Sequence, residues 1–218
     1  MKWTKKLPYV AFLAFAVTSC LPVFYPLYTT DTMMIDDRIK GWWADPYEDQ
    51  DDPSFWQIKR HEGDEHYTCR VFIDSVYAYD YELYLVNLGD TIFYDLKMKA
   101  DLFGNGPAGV VTQGIAPMMP MHSLGKIQIG DRQVNFNPFN YDRITKLLSQ
   151  RKIRIKHETD GDDNYLITAK TDELQAFCEK YATREDFFMK FEDSDFYMNP
   201  IDEPTGLVNK ETFNLNGR

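Results

Sequence analysis

Between Ile39 and Lys97 the chain falls into apolar segments of six to nine residues, separated by acidic or Gly/Asp-bearing turns. Segments this short leave no room for long helices and fit the spacing of antiparallel strands. Strands are expected near 39–44 (IKGWWA), 54–61, 66–74, 79–87 and 91–97, with more near 119–129, 132–136, 152–157 and 163–168. Period-two alternation supports them: Tyr67, Cys69, Val71 and Ile73 share one face, with Thr68 and Arg70 on the other. Tyr77, Tyr79, Tyr81, Leu83 and Leu85 likewise share a face. The connections EGDE (62–65), NLGD (87–90), IGDR (129–132) and TDGDDN (159–164) have hairpin length and turn chemistry.

Two stretches change period. In 138–149, Pro138 precedes Tyr141, Ile144, Leu147 and Leu148 at helical spacing. In 171–182, Thr171 stands as N-cap, Asp172 and Glu173 suit the first turn, and Leu174, Phe177, Cys178 and Tyr181 form one stripe. Residues 101–118, rich in Gly and Pro, read as a loop, and from Glu192 the polar chain reads as a loosely ordered tail, 192–218.

The formal net charge is −10, with 44% hydrophobic and 15% aromatic residues. That much apolar material builds a core and excludes a disordered acidic protein. The negative charge repels phosphate backbones, so nucleic acid is not an expected partner.

Gly41-Trp42-Trp43 on the first strand, the hairpins after it and a late helix together resemble the lipocalin-like (calycin) barrels, whose first strand carries Gly-x-Trp. The resemblance implies a mainly β fold: an up-and-down antiparallel barrel over 38–191, with a helix inserted between late strands and a C-terminal helix. It implies that Trp43 closes one end of the barrel and that Trp42 points away. The family's Thr-Asp-Tyr motif and the basic residue that stacks on the Trp are not identifiable here, and the helix at 138–149 departs from the pattern. The run from Gly41 to Phe187 is also similar to uncharacterised bacterial lipocalin-like proteins, through YDL (94–96), PMMPMHSLGKIQI (117–129) and LITAKTDELQAFCEKY (166–181). That likeness carries no assigned catalytic residue. In such a barrel Trp43, Trp56, Tyr67, Tyr79, Tyr81 and Phe93, with Phe55 and Met119, are the expected lining. They either fill the interior or line a cavity for one apolar ligand.

The N-terminus supplies an address. Lys2, Lys5 and Lys6 precede an apolar run from Leu7 to Val17, which is too short to cross a bilayer core of ~30 Å and has the build of a secretory signal. Val17-Thr18-Ser19-Cys20 resembles the lipobox of bacterial lipoproteins, with Val17 and Ser19 as permitted variants. The resemblance implies a signal peptide at 1–19, lipidation of Cys20 and a lipidated tether at 20–37. About three acyl chains on Cys20 would hold stably, at ~0.8 kcal/mol per buried CH₂. Removing 1–19 takes away three lysines and no acid, so the formal charge goes from −10 to −13. Leu21 and Pro22 follow Cys20, with neither the Asp of inner-membrane retention nor the acidic cluster of surface export. This points to the outer membrane, facing the periplasm. The expected partners are the membrane through the anchor, and an apolar small molecule or an envelope protein.

Signals for chemistry are sparse. His61 and His66 flank one turn, and with Glu62, Asp64 or Glu65 they have the makings of a zinc site, although solvated histidines are the commoner outcome. Asp160-x-Asp162-x-Asn164 opens like a calcium loop, but Tyr165 and Thr171 stand where Gly and Glu belong. DPYEDQDDP (45–53) reads as a solvated acidic loop. There is no Gly-x-Ser-x-Gly and no phosphate-cradling loop. No catalytic residue, metal ligand or cofactor is therefore expected, and an enzyme ranks third. Cys69 and Cys178 remain once Cys20 is lipidated; outside the cytoplasm they either join or stay as two buried thiols.

Overall fold

The computed structural model describes residues 21–44, 54–73, 76–98, 121–160, 164–189 and 197–207. The chain enters through two short strands, β1 (Pro22–Val23) and β2 (Met33–Met34), and a 3-10 turn, Asp37–Ile39. Asp36 caps that turn by accepting a hydrogen bond from the Arg38 amide at 3.1 Å. Seven strands follow: β3 (Gly41–Ala44), β4 (Ser54–Lys59), β5 (Tyr67–Ile73), β6 (Val76–Leu88), β7 (Thr91–Met98), β8 (His122–Ile129) and β9 (Val134–Pro138). Each pairs antiparallel with the next. Then come α1 (Tyr141–Ser149), β10 (His157–Thr159), β11 (Tyr165–Ile167), α2 (Thr171–Tyr181) and β12 (Tyr197–Ile201).

β12 lies antiparallel between β9 and β3 and closes the sheet into an eight-stranded barrel. Closure satisfies the strand edges that a seven-stranded meander would leave open. Sequence reasoning leaves this stretch in a loosely ordered tail, yet Tyr197–Ile201 completes the barrel and Met198 is 1% exposed. Pro200 within it and the acidic stretch 192–195 before it disguise the strand, and Met198 is its one buried side chain. The Gly of Gly-Trp-Trp has a backbone reason, since Gly41 adopts φ 141°, a region L side chains avoid.

Alternation divides the buried side chains into two cores. The inner face of the barrel carries Ile39, Trp43, Ile58, Tyr67, Cys69, Leu83, Leu85, Tyr94, Ile127, Phe136 and Met198. The outer face of β6, β7 and β8 carries Val86, Leu88, Phe93 and Leu124, and both helices pack onto it with the N-terminal segment.

α1 starts at Asn140, whose side chain accepts from the Arg143 amide at 2.9 Å, and buries Ile144, Leu147 and Leu148. It ends in a Schellman turn: the Arg151 amide donates to the Leu148 carbonyl and the Lys152 amide to the Leu147 carbonyl. Lys170, not Thr171, takes the N-cap position of α2, and Glu173 accepts from the Lys170 amide at 3.2 Å. The Thr171 hydroxyl instead donates to the Pro26 carbonyl at 2.8 Å.

Residues 21–37 do not hang free as a tether. Val23 pairs with Ile167 of β11 and with His122 of β8, and Met33–Met34 pair with β6. Leu21, Val23 and Leu27 are all buried. The strand expected at 152–157 is also smaller than its sequence suggests, with only His157–Thr159 pairing to β11.

Candidate functional site

Inside the barrel, cross-strand register stacks the side chains in rows. Trp43, Trp56 and Val71 form one row, and Ile58, Cys69 and Tyr81 the next. Tyr67, Leu83 and Leu96 follow, then Leu85, Tyr94 and Gly125. Trp43 is 3% exposed, and its indole N–H donates to the Ile39 carbonyl at 2.8 Å. Tyr67 is fully buried; its hydroxyl accepts from the Asp36 amide at 2.8 Å, and burial raises its pKa. Trp56 is half-buried, with its ring 5.3 Å from Phe136. Tyr81 is half-buried against the same cluster. The side chain of Tyr79 and all of Met119 lie outside the described residues.

Two of the expected lining residues face outward, Phe93 and Phe55, the latter pairing with Ala44 and Phe72 beside the inward Trp56 row. Phe93 is fully buried, but on the outer face beneath the helices, while its neighbour Tyr94 points inward. The segment TIFYDL is apolar on both sides because both faces of β7 are covered, so alternation alone does not fix its phase. Tyr94 fills the space above Gly125: a Cβ there would meet the Tyr94 ring and hydroxyl at 2.6 Å. With Leu83, Leu85, Ile127 and Phe136 around it, this part of the interior is occupied by side chains. At the other end of the barrel, the connections 45–53, 74–75, 99–120 and 190–196 lie outside the described residues.

Outside the barrel, one polar pair is buried beneath the N-terminal segment. Asp95 of β7 is fully buried and His122 of β8 is 5% exposed, with Oδ1 and Nδ1 2.6 Å apart. The second oxygen of Asp95 accepts from the Leu27 amide at 2.8 Å. The Leu27 carbonyl accepts from Gln175 of α2, also at 2.8 Å. β7 and α2 therefore both bond Leu27, with β8 behind Asp95, and together they fix the entry of the chain. Next to it the Tyr28 ring stacks on Tyr84 at 3.7 Å, and the Tyr84 hydroxyl donates to Glu82. Lys97 also donates to Glu82, at 2.8 Å. Burial opposes the Glu82 charge, but these two donors hold its pKa below the usual carboxylate range. The atoms Oδ1, Oδ2 and Nδ1 are all engaged within the fold, so the arrangement positions backbone and presents no activated nucleophile. Sequence reasoning passed over it, although Asp95 is a lone acid amid the apolar FYDL and His122 stands across the next strand.

Other candidates separate. His61 sits in an exposed turn, whereas His66 stacks on Tyr84 at 5.2 Å. Asn164 donates to Asp160 at 2.7 Å and closes the β10–β11 hairpin. No group of three or more His, Cys, Asp or Glu suited to a metal occurs among the described residues. Cys69 lies in the barrel core and Cys178 in the outer core, so both are buried free thiols. Burial pushes both thiols far above the usual range, which leaves them protonated and unreactive. Among the described residues no helix is long and apolar enough to cross a membrane.

The chain matches no family model, no curated protein and no solved structure.

Proposed function

We propose that this protein is a lipid-anchored interaction module of a bacterial cell envelope, carried on acylated Cys20, whose lipocalin-like barrel is a packed scaffold rather than a carrier. The observation that supports this is the occupied interior, above all Tyr94 lying over Gly125 between Leu85 and Phe136. A carrier of this size needs a cavity of ~300 Å³ or more in that place. The working surface is then the outside of the barrel and its helical layer. The address rests on the resemblance of Val17–Cys20 to a lipobox, and it puts the chain on the periplasmic side of the outer membrane.

Two measurements test this reading. Labelled palmitate should enter the wild type and be absent from Cys20→Ala, which should accumulate as precursor; label on the variant would remove the anchor. Native mass spectrometry of detergent-extracted protein should show no stoichiometric apolar compound. A second reading, an apolar ligand at the end of the barrel away from Tyr94, draws on Trp56 and Tyr81, which are half-buried. A bound compound in the extracted protein would favour it.

A further inference from the structure

We propose that the groove between segment 152–156 and α2 binds a phosphate headgroup joined to an apolar chain. The groove has a volume of about 290 Å³. Its cations are Arg154, Lys156 and Lys180, and Ile155, Phe177 and Tyr181 supply its apolar surface. All three cations are exposed, and among the described residues none pairs with a carboxylate. Cations elsewhere divide. Arg38, Arg60, Arg70, Lys97, Arg143 and Arg184 each hold an acid within ion-pair distance. Lys59, Lys126 and Arg132 hold none among the described residues, so what sets the groove apart is that three cations share one concavity in a chain of net charge −10.

The geometry favours an anion with an apolar neighbour. Lys180 is placed by its own helix, with its ammonium 5.2 Å from the Tyr181 ring centroid. Glu173 also lines the groove and keeps its negative charge, so three cations face one carboxylate and the positive charge prevails. An Arg fork with two point-charge lysines suits phosphate oxygens. Phe177 and Tyr181, tilted to each other with centroids 4.8 Å apart, are 7% and 9% exposed, and half-buried Ile155 supplies the more accessible apolar surface. Upstream, Arg151 occupies φ 57° at the end of α1, where glycine is favoured, so a cation stands at a position that costs backbone energy. Near a surface that displays phosphates, each further Lys or Arg is worth on the order of fivefold in partition.

The test uses the full-length chain in non-ionic detergent, titrated with dihexanoylphosphatidylglycerol, dihexanoylphosphatidylcholine, hexyl phosphate and inorganic phosphate. Saturable binding of the phosphatidylglycerol probe is expected, at least tenfold tighter than inorganic phosphate or the phosphatidylcholine. The double variant Arg154→Gln/Lys180→Gln should lose at least tenfold in affinity with an unchanged melting curve, whereas Lys59→Gln on the barrel should bind as wild type. Hexyl phosphate binding as tightly as the phosphatidylglycerol assigns the groove to soluble apolar phosphate esters, and a preference for the latter assigns it to a membrane headgroup. No saturable binding, equal binding of phosphatidylcholine, or binding indifferent to the double variant would overturn the proposal. Inorganic phosphate binding as tightly as the lipid would overturn the apolar half of it.

Discussion

Tyr94 lies across Gly125 inside the barrel, so close that a Cβ at residue 125 would stand 2.5 Å from the Asn137 carbonyl oxygen and 2.6 Å from the tyrosine ring. One neighbour is backbone of the paired strand and cannot swing away. Gly125→Ala should therefore destabilise the fold by about 1–3 kcal/mol, the range for overpacking a closed core. Urea unfolding reads this directly. A neutral substitution would mean that the interior has room to spare.

The two adjacent tryptophans should differ. Trp43 is 3% exposed in the barrel with its indole N–H bonded to Ile39, whereas Trp42 is half-buried on the outer face with its ring 5.5 Å from Phe72. Trp43→Ala should cost about 3–5 kcal/mol, and Trp42→Ala clearly less. Equal losses in urea unfolding would contradict the inward and outward assignment.

Asp95 should govern the N-terminal segment. Asp95→Ala strands the Leu27 amide and leaves His122 buried without its partner, a loss of about 2–5 kcal/mol. Asp95→Asn keeps an acceptor for Leu27 and should cost less. Hydrogen exchange at the Leu27 amide separates the two, with fast exchange expected in the alanine variant and partial protection in the asparagine variant. Unchanged protection in Asp95→Ala would mean that the segment is held by other contacts.

The strands and helices were legible because their side-chain periods survive in the sequence, as in Tyr67–Cys69–Val71 and Leu174–Phe177–Cys178. The barrel-closing β12 was not. Its five residues include Pro200, which argues against a paired strand, and they follow an acidic stretch, so the pairing to β3 and β9 has no clear local signature. Phe93 was expected inside and Tyr94 was not, because both sides of β7 are covered, which erases the contrast that alternation depends on. The Asp95–His122–Leu27 junction joins residues 27 and 68 positions apart, and no local pattern records such a meeting. The groove cations Arg154, Lys156 and Lys180 were visible as residues, but their convergence depends on how the segment after α1 folds back on α2.

Acid should weaken the helical layer through Asp186. Arg184 donates to this carboxylate, burial opposes the charge slightly, and Arg143 adds a second donor, which together hold its pKa at about 2. Its ordinary value is ~3.9, so the folded state has the lower pKa. The contribution is then fully present above pH ~4 and is lost as pH falls toward ~2. Both partners are well exposed, so solvent screening keeps the effect small. Wild type should exceed Asp186→Asn in urea midpoint at pH 5, and the gap should close by about pH 2. A gap that widens on acidification would reverse the sign of the linkage.

The packed scaffold is tested most directly by titrating the full-length protein with a brominated fatty acid and following tryptophan fluorescence. Trp43 and Trp56 face the interior, so a ligand seated there would quench them. A filled barrel predicts only weak, unsaturable quenching, the same in wild type and in Tyr67→Phe. Saturable quenching at one ligand per chain, displaced by an unlabelled fatty acid, would contradict the scaffold and make the protein a carrier.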